Sequence, residues 1–132
     1  MRAQFVRHNE NPLDTLKIGK SRFKELLEPV EKIINPILQE YKFDSKEKKE
    51  IIDEDHEMYG ISFMGTMKEA SLFQKKIINS PCEYFVAIRS NSYIMGYQLG
   101  DGKWISNLTD SPKICLDQIK AWIKKGSSGK AF

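Results

Sequence analysis

Hydrophobic residues recur at helical spacing along residues 21–41, SRFKELLEPVEKIINPILQEY, and this pattern predicts an amphipathic helix. The apolar positions continue through Pro29 and Pro36, which both fall on the polar side of that helix. Because proline bends or breaks a helix, the segment is expected to form either one bent helix or two nearly collinear ones. Its apolar positions are Phe23, Leu26, Leu27, Val30, Ile33, Ile34, Ile37, Leu38 and Tyr41.

Two short elements are predicted before this helix. The segment RAQFVR, residues 2–7, is typical of a short strand. In NPLDTLKIG, residues 11–19, an asparagine, a proline and a later glycine stand where a short helix has its cap, first turn and end. We therefore expect a strand and then one or two helical turns at the N-terminus.

Two further helices are predicted from capping patterns. Residues 44–60, DSKEKKEIIDEDHEMYG, open with an aspartate followed three positions later by a glutamate, and they end at a glycine. Thr66 and Glu69 have the same spacing and predict a helix over residues 66–79. Between these two helices, YGISFMG is typical of a short strand.

Residues 83–89, 93–99 and 103–108 alternate between the two sides of a strand and predict three antiparallel strands. Two-residue turns are expected around Asn91 and at Asp101-Gly102. A one-residue slip at the second turn would move Trp104 to the other face, so the two-residue turn is preferred and Trp104 is expected to be buried against the last helix. The apolar face would then hold Tyr84, Val86, Ile88, Tyr93, Met95, Tyr97, Leu99, Trp104 and Leu108. The mixed face would hold Phe85, Ala87, Arg89, Ile94, Gly96, Gln98, Lys103, Ile105 and Asn107.

The segment DSPKICLDQIKAWIKKG predicts a final helix over residues 111–125, capped by Asp110 or Ser111 and stopped by Gly126. Its inward positions are Cys115, Leu116, Ile119, Trp122 and Ile123.

The predicted elements define the expected fold. It is an α+β domain over residues 1–126, followed by a flexible basic tail over 127–132. A small antiparallel sheet of three to four strands is expected, with α-β-β-β-α order in the C-terminal half. The helices at 66–79 and 111–125 would cover one sheet face, and the bent, proline-containing helix would cover the other face or an end.

The composition is that of a soluble globular protein, with 40% hydrophobic and 30% charged residues and a net charge of +3. No apolar run is long enough to span a bilayer, and the first residues lack the apolar core of a secretory signal. We therefore expect a cytoplasmic protein without membrane contact, in which Cys82 and Cys115 are reduced.

Candidate catalytic and metal-binding residues are few. The chain has two histidines, His8 and His56, and neither belongs to a recognisable catalytic pattern. Asp53, His56 and Glu57 would share one helical face, but no second cluster completes a metal coordination shell. We therefore expect no metal, no cofactor and no catalytic residue.

These absences favour a small non-enzymatic interaction or assembly protein that contacts a protein partner or a second copy of itself. The high lysine and isoleucine content suggests a phage or mobile-element product. An enzyme ranks third, after a nucleic-acid-binding module that would use the mixed sheet face and the lysine face of the last helix. The expected protein-partner surface consists of Phe85, Ile94, Ile105, Ile34 and Ile37. The expected nucleic-acid contacts are Arg89, Gln98, Lys103, Lys113, Lys120 and Lys124.

Overall fold

A computed structural model describes residues 4–7, 16–71, 76–98 and 102–125 of the chain. Its strands form one six-stranded antiparallel sheet in which every strand lies beside its neighbours in sequence. The predicted α+β class is confirmed, although the sheet has more strands than the three or four expected. The elements are β1 (Gln4–Arg7), α1 (Lys20–Tyr41), β2 (Lys49–Asp53), β3 (Met58–Ser71), β4 (Lys76–Arg89), β5 (Ser92–Gln98), β6 (Trp104–Thr109) and α2 (Pro112–Lys125).

The predicted amphipathic helix is present as a single helix, α1, which continues through Pro29 and Pro36. Both prolines lie away from its buried stripe, as the sequence indicated. That stripe packs on the sheet face that α2 also covers, so the expectation that the helix covers the other face or an end of the sheet is wrong. One face of the sheet accommodates both helices, because they lie side by side and contact each other. The buried residues of α1 are Phe23, Leu27, Val30, Ile33, Ile34, Ile37 and Leu38.

The helix predicted over residues 66–79 does not form. Residues 58–71 and 76–89 are instead two long strands that pair without interruption from Met58 opposite Arg89 to Ser71 opposite Lys76. The capping pattern and the helical spacing are local signals, and the continuous cross-strand pairing of a hairpin outweighs them. The ends of these strands extend past their neighbours as a two-stranded ribbon, because β2 pairs with β3 only as far as Ser62.

The helix predicted over residues 44–60 is also wrong. This segment forms a 3-10 turn at Ser45–Glu47, then β2, then a second 3-10 turn at Glu54–His56. The predicted N-cap is present, but the element that it caps is only a 3-10 turn. The Asp44 side chain accepts a hydrogen bond of 2.9 Å from the Lys46 backbone N–H. The adjacent Ile51 and Ile52 are both buried, because consecutive side chains of a strand enter clusters on opposite faces of the sheet.

The β4–β5 hairpin has the predicted two-residue loop, Ser90-Asn91, with Ser90 at a φ of 56°. Its pairing confirms the predicted common face, which lies under the helices and is here called the covered face. The residues of β4 and β5 on that face are Tyr84, Val86, Ile88, Tyr93, Met95 and Tyr97.

The β5–β6 hairpin differs by one residue from the predicted register, since Gln98 pairs with Trp104. Trp104 and Leu108 therefore lie on the opposite face of the sheet, here called the open face, while Ile105 and Asn107 move to the covered face. Residues 99–101, including Leu99, lie outside the described part of the chain, and Gly102 has a φ of 90°.

The last helix is confirmed, and its cap is Ser111, whose side-chain oxygen accepts a 3.2 Å hydrogen bond from the Ile114 N–H. Trp122 is fully buried, and its ring centre lies 5.0 Å from that of Tyr97. Trp122 is therefore in the core, as predicted, whereas Trp104, which was expected beside it, is 40% exposed. The predicted strand at residues 2–7 is confirmed as β1, whereas residues 11–15, Gly126 and the predicted tail lie outside the described residues. Neither described helix is both long enough and apolar enough to cross a membrane.

Candidate interaction surface

The open face of the sheet carries a small apolar cluster of its own. Ile51, Phe85 and Ala87 are buried there, and Met58 and Ile94 pack against them half-buried. Apolar side chains therefore occupy both faces of the sheet, whereas the helices contribute only to the larger cluster on the covered face.

A glycine and two aromatic rings shape the part of the open face near β6. Phe85 lies directly opposite Gly96, and its ring is 2.6 Å from the point where a Cβ atom on that glycine would stand. The Phe85 ring meets the Trp104 ring edge to face, with centres 5.5 Å apart. Gly96 thus lets Phe85 lie flat on the sheet, where it is 8% exposed, and Trp104 covers its edge while remaining 40% exposed.

The apolar surface continues to β6, the last strand of the sheet. Leu108 lies on the open face opposite Ile94 and is 62% exposed. The strand sequence WISNLT contains no charged residue and no proline, which are the usual devices that protect an edge strand from pairing. Trp104 and Leu108 therefore stand exposed beside a strand edge that lacks these devices.

Polar groups surround the apolar part of the open face. Glu83 and Gln98 are half-buried there, and Gln98 Nε2 donates to the Gly102 carbonyl oxygen at 3.2 Å. Arg89 is exposed at the end of β4. An apolar centre with a polar rim is the usual composition of a protein–protein contact surface.

The structure separates the five residues expected to contact a protein partner. Phe85 and Ile94 lie together on the open face. Ile34 and Ile37 are 0% exposed in the main core, and Ile105 packs against that core from the covered face. Ile34 and Ile37 are therefore enclosed in the folded chain, whereas Ile105 is half-buried.

Two exposed apolar residues of the open face, Trp104 and Leu108, were not expected there. The only sequence signal for their placement was the one-residue slip at the GDG segment, which was set aside because it removed a tryptophan from the core. The core needs no second tryptophan on this side, since Trp122 packs against Tyr97.

The residues expected to contact nucleic acid lie on two opposite sides of the sheet. Arg89 and Gln98 belong to the open face, whereas α2 packs on the covered face and carries the three lysines of its polar side. Of these lysines, Lys120 forms an ion pair with Glu40 of α1 at 3.2 Å. Lys113 and Lys124 are exposed, as is Lys103 just before β6. These six residues therefore do not form one continuous positive surface.

The Asp53, His56 and Glu57 group does not share a helical face. Asp53 ends β2 and contacts the His56 ring at 3.0 Å between Oδ2 and Nδ1, while its Oδ1 accepts from the His56 backbone N–H at 3.3 Å. Glu57 is the residue that ends the turn, and its backbone is left-handed, with a φ of 51°. These contacts are those of a tight turn that links β2 to β3. No group of three His, Cys, Asp or Glu side chains within the described ranges is arranged to hold a metal ion.

Both cysteines are free thiols within the core. Burial raises the pKa of the Cys115 thiol from 9.0 to about 12, so this thiol is protonated at neutral pH. Because the thiolate is the reactive form of cysteine, Cys115 acts as an apolar core residue under the N-terminal half of α2.

Comparison of the chain with protein-family models, with curated proteins and with solved structures finds no match in any of the three.

Proposed function

We propose that this chain is a non-enzymatic protein–protein interaction module that acts in the cytoplasm through the open face of its sheet at β6. The observation that carries the proposal is the exposure of Trp104 and Leu108 on one side of a single edge strand. Between them stands the small side chain of Ser106. Tryptophan is among the residues that contribute most to protein–protein binding, and it does so where neighbouring contacts exclude water.

Charge favours a protein partner over nucleic acid at this surface. Binding to phosphate groups requires several lysine or arginine side chains on one face. The open face instead mixes Arg89 and Lys49 with Glu83 and Asp53, and its strand β6 is uncharged. The lysines of α2 lie across the sheet from it.

Site-specific photo-crosslinking tests the proposal. A photo-reactive amino acid is placed at position 108 and, as a matched control, at position 32 of α1, where the native side chain is 77% exposed. In cells that encode the protein, we expect discrete crosslinks to protein from position 108 and none above background from position 32. Equal crosslinking at both positions would contradict the proposal.

Salt titration separates the nucleic-acid alternative. Binding of generic DNA or RNA to the purified chain, weakening steeply as salt is raised, would favour that alternative, since phosphate contacts release counterions. We expect no such binding, and we expect Arg89→Ala to leave the crosslinking from position 108 unchanged.

A further inference from the structure

We infer that the partner at the open face is a second copy of this chain, packed face to face so that strands β4 to β6 of the two copies cover each other. This inference rests on the proposed function and names its partner. The contact is made by side chains of the open face and requires no backbone pairing at the β6 edge. Two sheets packed in this way lie about 10 Å apart, with strand axes within about 30° of each other.

Two opposite charges on β4 point to a second copy. Arg89 and Glu83 lie on the open face at the two ends of one strand, about 20 Å apart at about 3.4 Å per residue. This distance is too long for the two side chains to pair within one chain, and neither forms an ion pair among the described residues. A second copy whose strands run in the opposite direction brings Glu83 of each copy to Arg89 of the other. Symmetry therefore forms two ion pairs at once.

The two-fold axis that forms these pairs crosses the strands at Val86. Val86 pairs with Met95, and Met95 pairs with Asn107, so the axis passes over these three residues of β4, β5 and β6. Each residue of the open face then stands opposite the residue that lies equally far beyond the axis in the same strand of the second copy.

This register sets a large side chain against a small one in every strand of the contact. The opposed pairs are Phe85 with Ala87, Ile94 with Gly96, and Leu108 with Ser106. The Phe85 ring lies over Gly96 of its own chain, so Ile94 of the second copy meets that ring. Leu108 is 62% exposed and enters the space above Ser106 of the second copy. Side chains that interdigitate in this way fill the space between two packed sheets.

Neighbouring registers lose the complementarity of charge. An axis that crosses β4 at Phe85 sets Glu83 against Ala87 of the second copy. An axis that crosses β4 at Ala87 sets Arg89 against Phe85. In both registers a charged group faces an apolar side chain without an ionic partner, which costs free energy.

The other two-fold arrangement of the two faces has its axis along β5, and it pairs Arg89 with Asp110. The Asp110 carboxylate already accepts a hydrogen bond of 2.9 Å from Ser92 Oγ. Glu83 would then face the Trp104 ring of the second copy, again without an ionic partner. The antiparallel arrangement is therefore the one that pairs both charges of β4.

The size of the contact predicts a weak dimer. Three strands about 4.8 Å apart and about 20 Å long cover less area than the interface of most stable complexes. We therefore expect a reversible dimer with a Kd of the order of tens of micromolar.

Charge exchange tests the inference in the purified full chain. Arg89→Glu sets two glutamates against each other at both ends of the contact, and Glu83→Arg sets two arginines against each other. Each variant should remain monomeric at concentrations where the original chain sediments at twice its mass of 15.3 kDa. Arg89→Ala adds no repulsion and should change the Kd by about threefold or less, since exposed ion pairs contribute little to affinity.

A mixture of the two charge variants should restore the dimer. When Arg89→Glu chains meet Glu83→Arg chains, a glutamate faces an arginine at both ends of the contact. With one variant fluorescently labelled, its sedimenting mass should double when the other is added. A mixture that stays monomeric, or single variants that dimerise like the original chain, would overturn the inference.

A matched pair of variants on α1 controls for net charge. Lys32→Glu and Glu28→Arg change the net charge by the same amounts, at side chains that are 77% and 68% exposed. Each should dimerise like the original chain, and mixing them should change nothing. Circular dichroism shows whether all four variants are folded.

Photo-crosslinking of the purified chain leaves both charges in place. From position 108, the crosslinks should join two copies and should map to residues 104–108 of the second copy. Crosslinks between copies that map elsewhere, or a chain that stays monomeric at every concentration, would contradict the face-to-face packing.

The two proposals can fail separately. Crosslinks from position 108 to a different protein, together with a monomeric purified chain, would refute the second copy and keep the interaction module. A dimer that persists in both folded charge variants would show that self-association uses another surface, and it would refute the packing of the open faces.

Discussion

Gln98 pairs with Trp104 across the β5–β6 hairpin, and this single pairing decides that the tryptophan lies on the open face of the sheet. The register expected from a two-residue turn at Asp101-Gly102 would have placed Trp104 beneath α2 instead. There the Tyr97 and Trp122 rings pack at 5.0 Å. The two tryptophans of the chain therefore differ in their role.

Replacing the two tryptophans in turn should show this difference in stability. Trp122→Ala removes a fully buried ring and should lower the free energy of unfolding by about 3–5 kcal/mol. Trp104→Ala removes a ring that is 40% exposed and contacts Phe85, and it should cost about 1 kcal/mol. Urea denaturation of both variants measures the costs. Equal losses of unfolding free energy in the two variants would indicate that Trp104 is buried in the core.

Gly96 should tolerate no side chain. A Cβ atom there would lie 2.2 Å from the Ile105 carbonyl oxygen and 2.6 Å from the Phe85 ring, so backbone and ring would both have to move. We expect Gly96→Ala to lower the free energy of unfolding by about 3 kcal/mol. Gly102→Ala is the control, because Gly102 has open space around it but a φ of 90°; it should cost about 1 kcal/mol. Denaturant titration compares the two, and a Gly96→Ala chain as stable as the Gly102→Ala chain would contradict the expected order.

A negative charge at position 37 should destabilise the folded chain strongly, whereas a negative charge at position 108 should leave its stability almost unchanged. Ile37→Asp places an unpaired carboxylate at a position that is 0% exposed, and it should destabilise the monomer by several kcal/mol or prevent folding. Leu108→Asp lies on the open face and should change monomer stability by no more than about 0.5 kcal/mol. Thermal melting at low protein concentration measures both. A folded Ile37→Asp chain with unchanged melting would mean that α1 does not fill the core.

Cys115 should make stability fall at high pH. Its pKa is about 12 in the folded chain and 9.0 when burial is removed. Between these values the folded state keeps a proton that the unfolded state has lost, so the free energy of unfolding decreases as pH rises through this window. Below pH 9 the contribution is complete and constant.

Comparison with Cys115→Ala isolates this effect from other groups that titrate at high pH, including Tyr41 and Tyr59, whose pKa values burial also raises. The original chain should lose stability more steeply than the variant between pH 9 and 11, by denaturant titration at each pH. Parallel curves would show that the thiol ionises equally easily in both states. A thiol reagent at pH 8 should likewise leave Cys115 unmodified until the chain unfolds.

The sequence predicted the elements whose pattern is long and strongly periodic. The stripe of α1 and the inward positions of α2 repeat at helical spacing over several turns, and both helices are present. The β4–β5 register followed from strand alternation and a two-residue loop. Only this register places the large apolar side chains of both strands on the same face of the sheet.

The errors arose where a local signal competed with a distant partner. Residues 66–79 have a capping pattern, but their pairing in the β3–β4 hairpin is continuous with that of the whole sheet. The β5–β6 register was assigned by assuming that a tryptophan belongs in the core, and the core was already filled by Trp122 from α2.

The candidate surface was predicted only in part, for a related reason. Phe85 and Ile94 were assigned to the correct face, because their place depends on the two-residue loop alone. Ile34 and Ile37 were expected to contact a partner because α1 has more apolar side chains than a sheet of three to four strands could cover. The observed sheet has six strands and accepts α1 and α2 side by side.

The position of α1 between β1 and β2 has a consequence for the order of folding. Strands β2 to β5 each pair with the next strand along the chain, so the contacts among β2 to β6 close short loops and should form early. β1 has only four residues, and it reaches β2 across the full length of α1, with Gln4 opposite Ile52. Closing this long loop gains few hydrogen bonds for its entropy cost, so β1 should add to the sheet last and detach first.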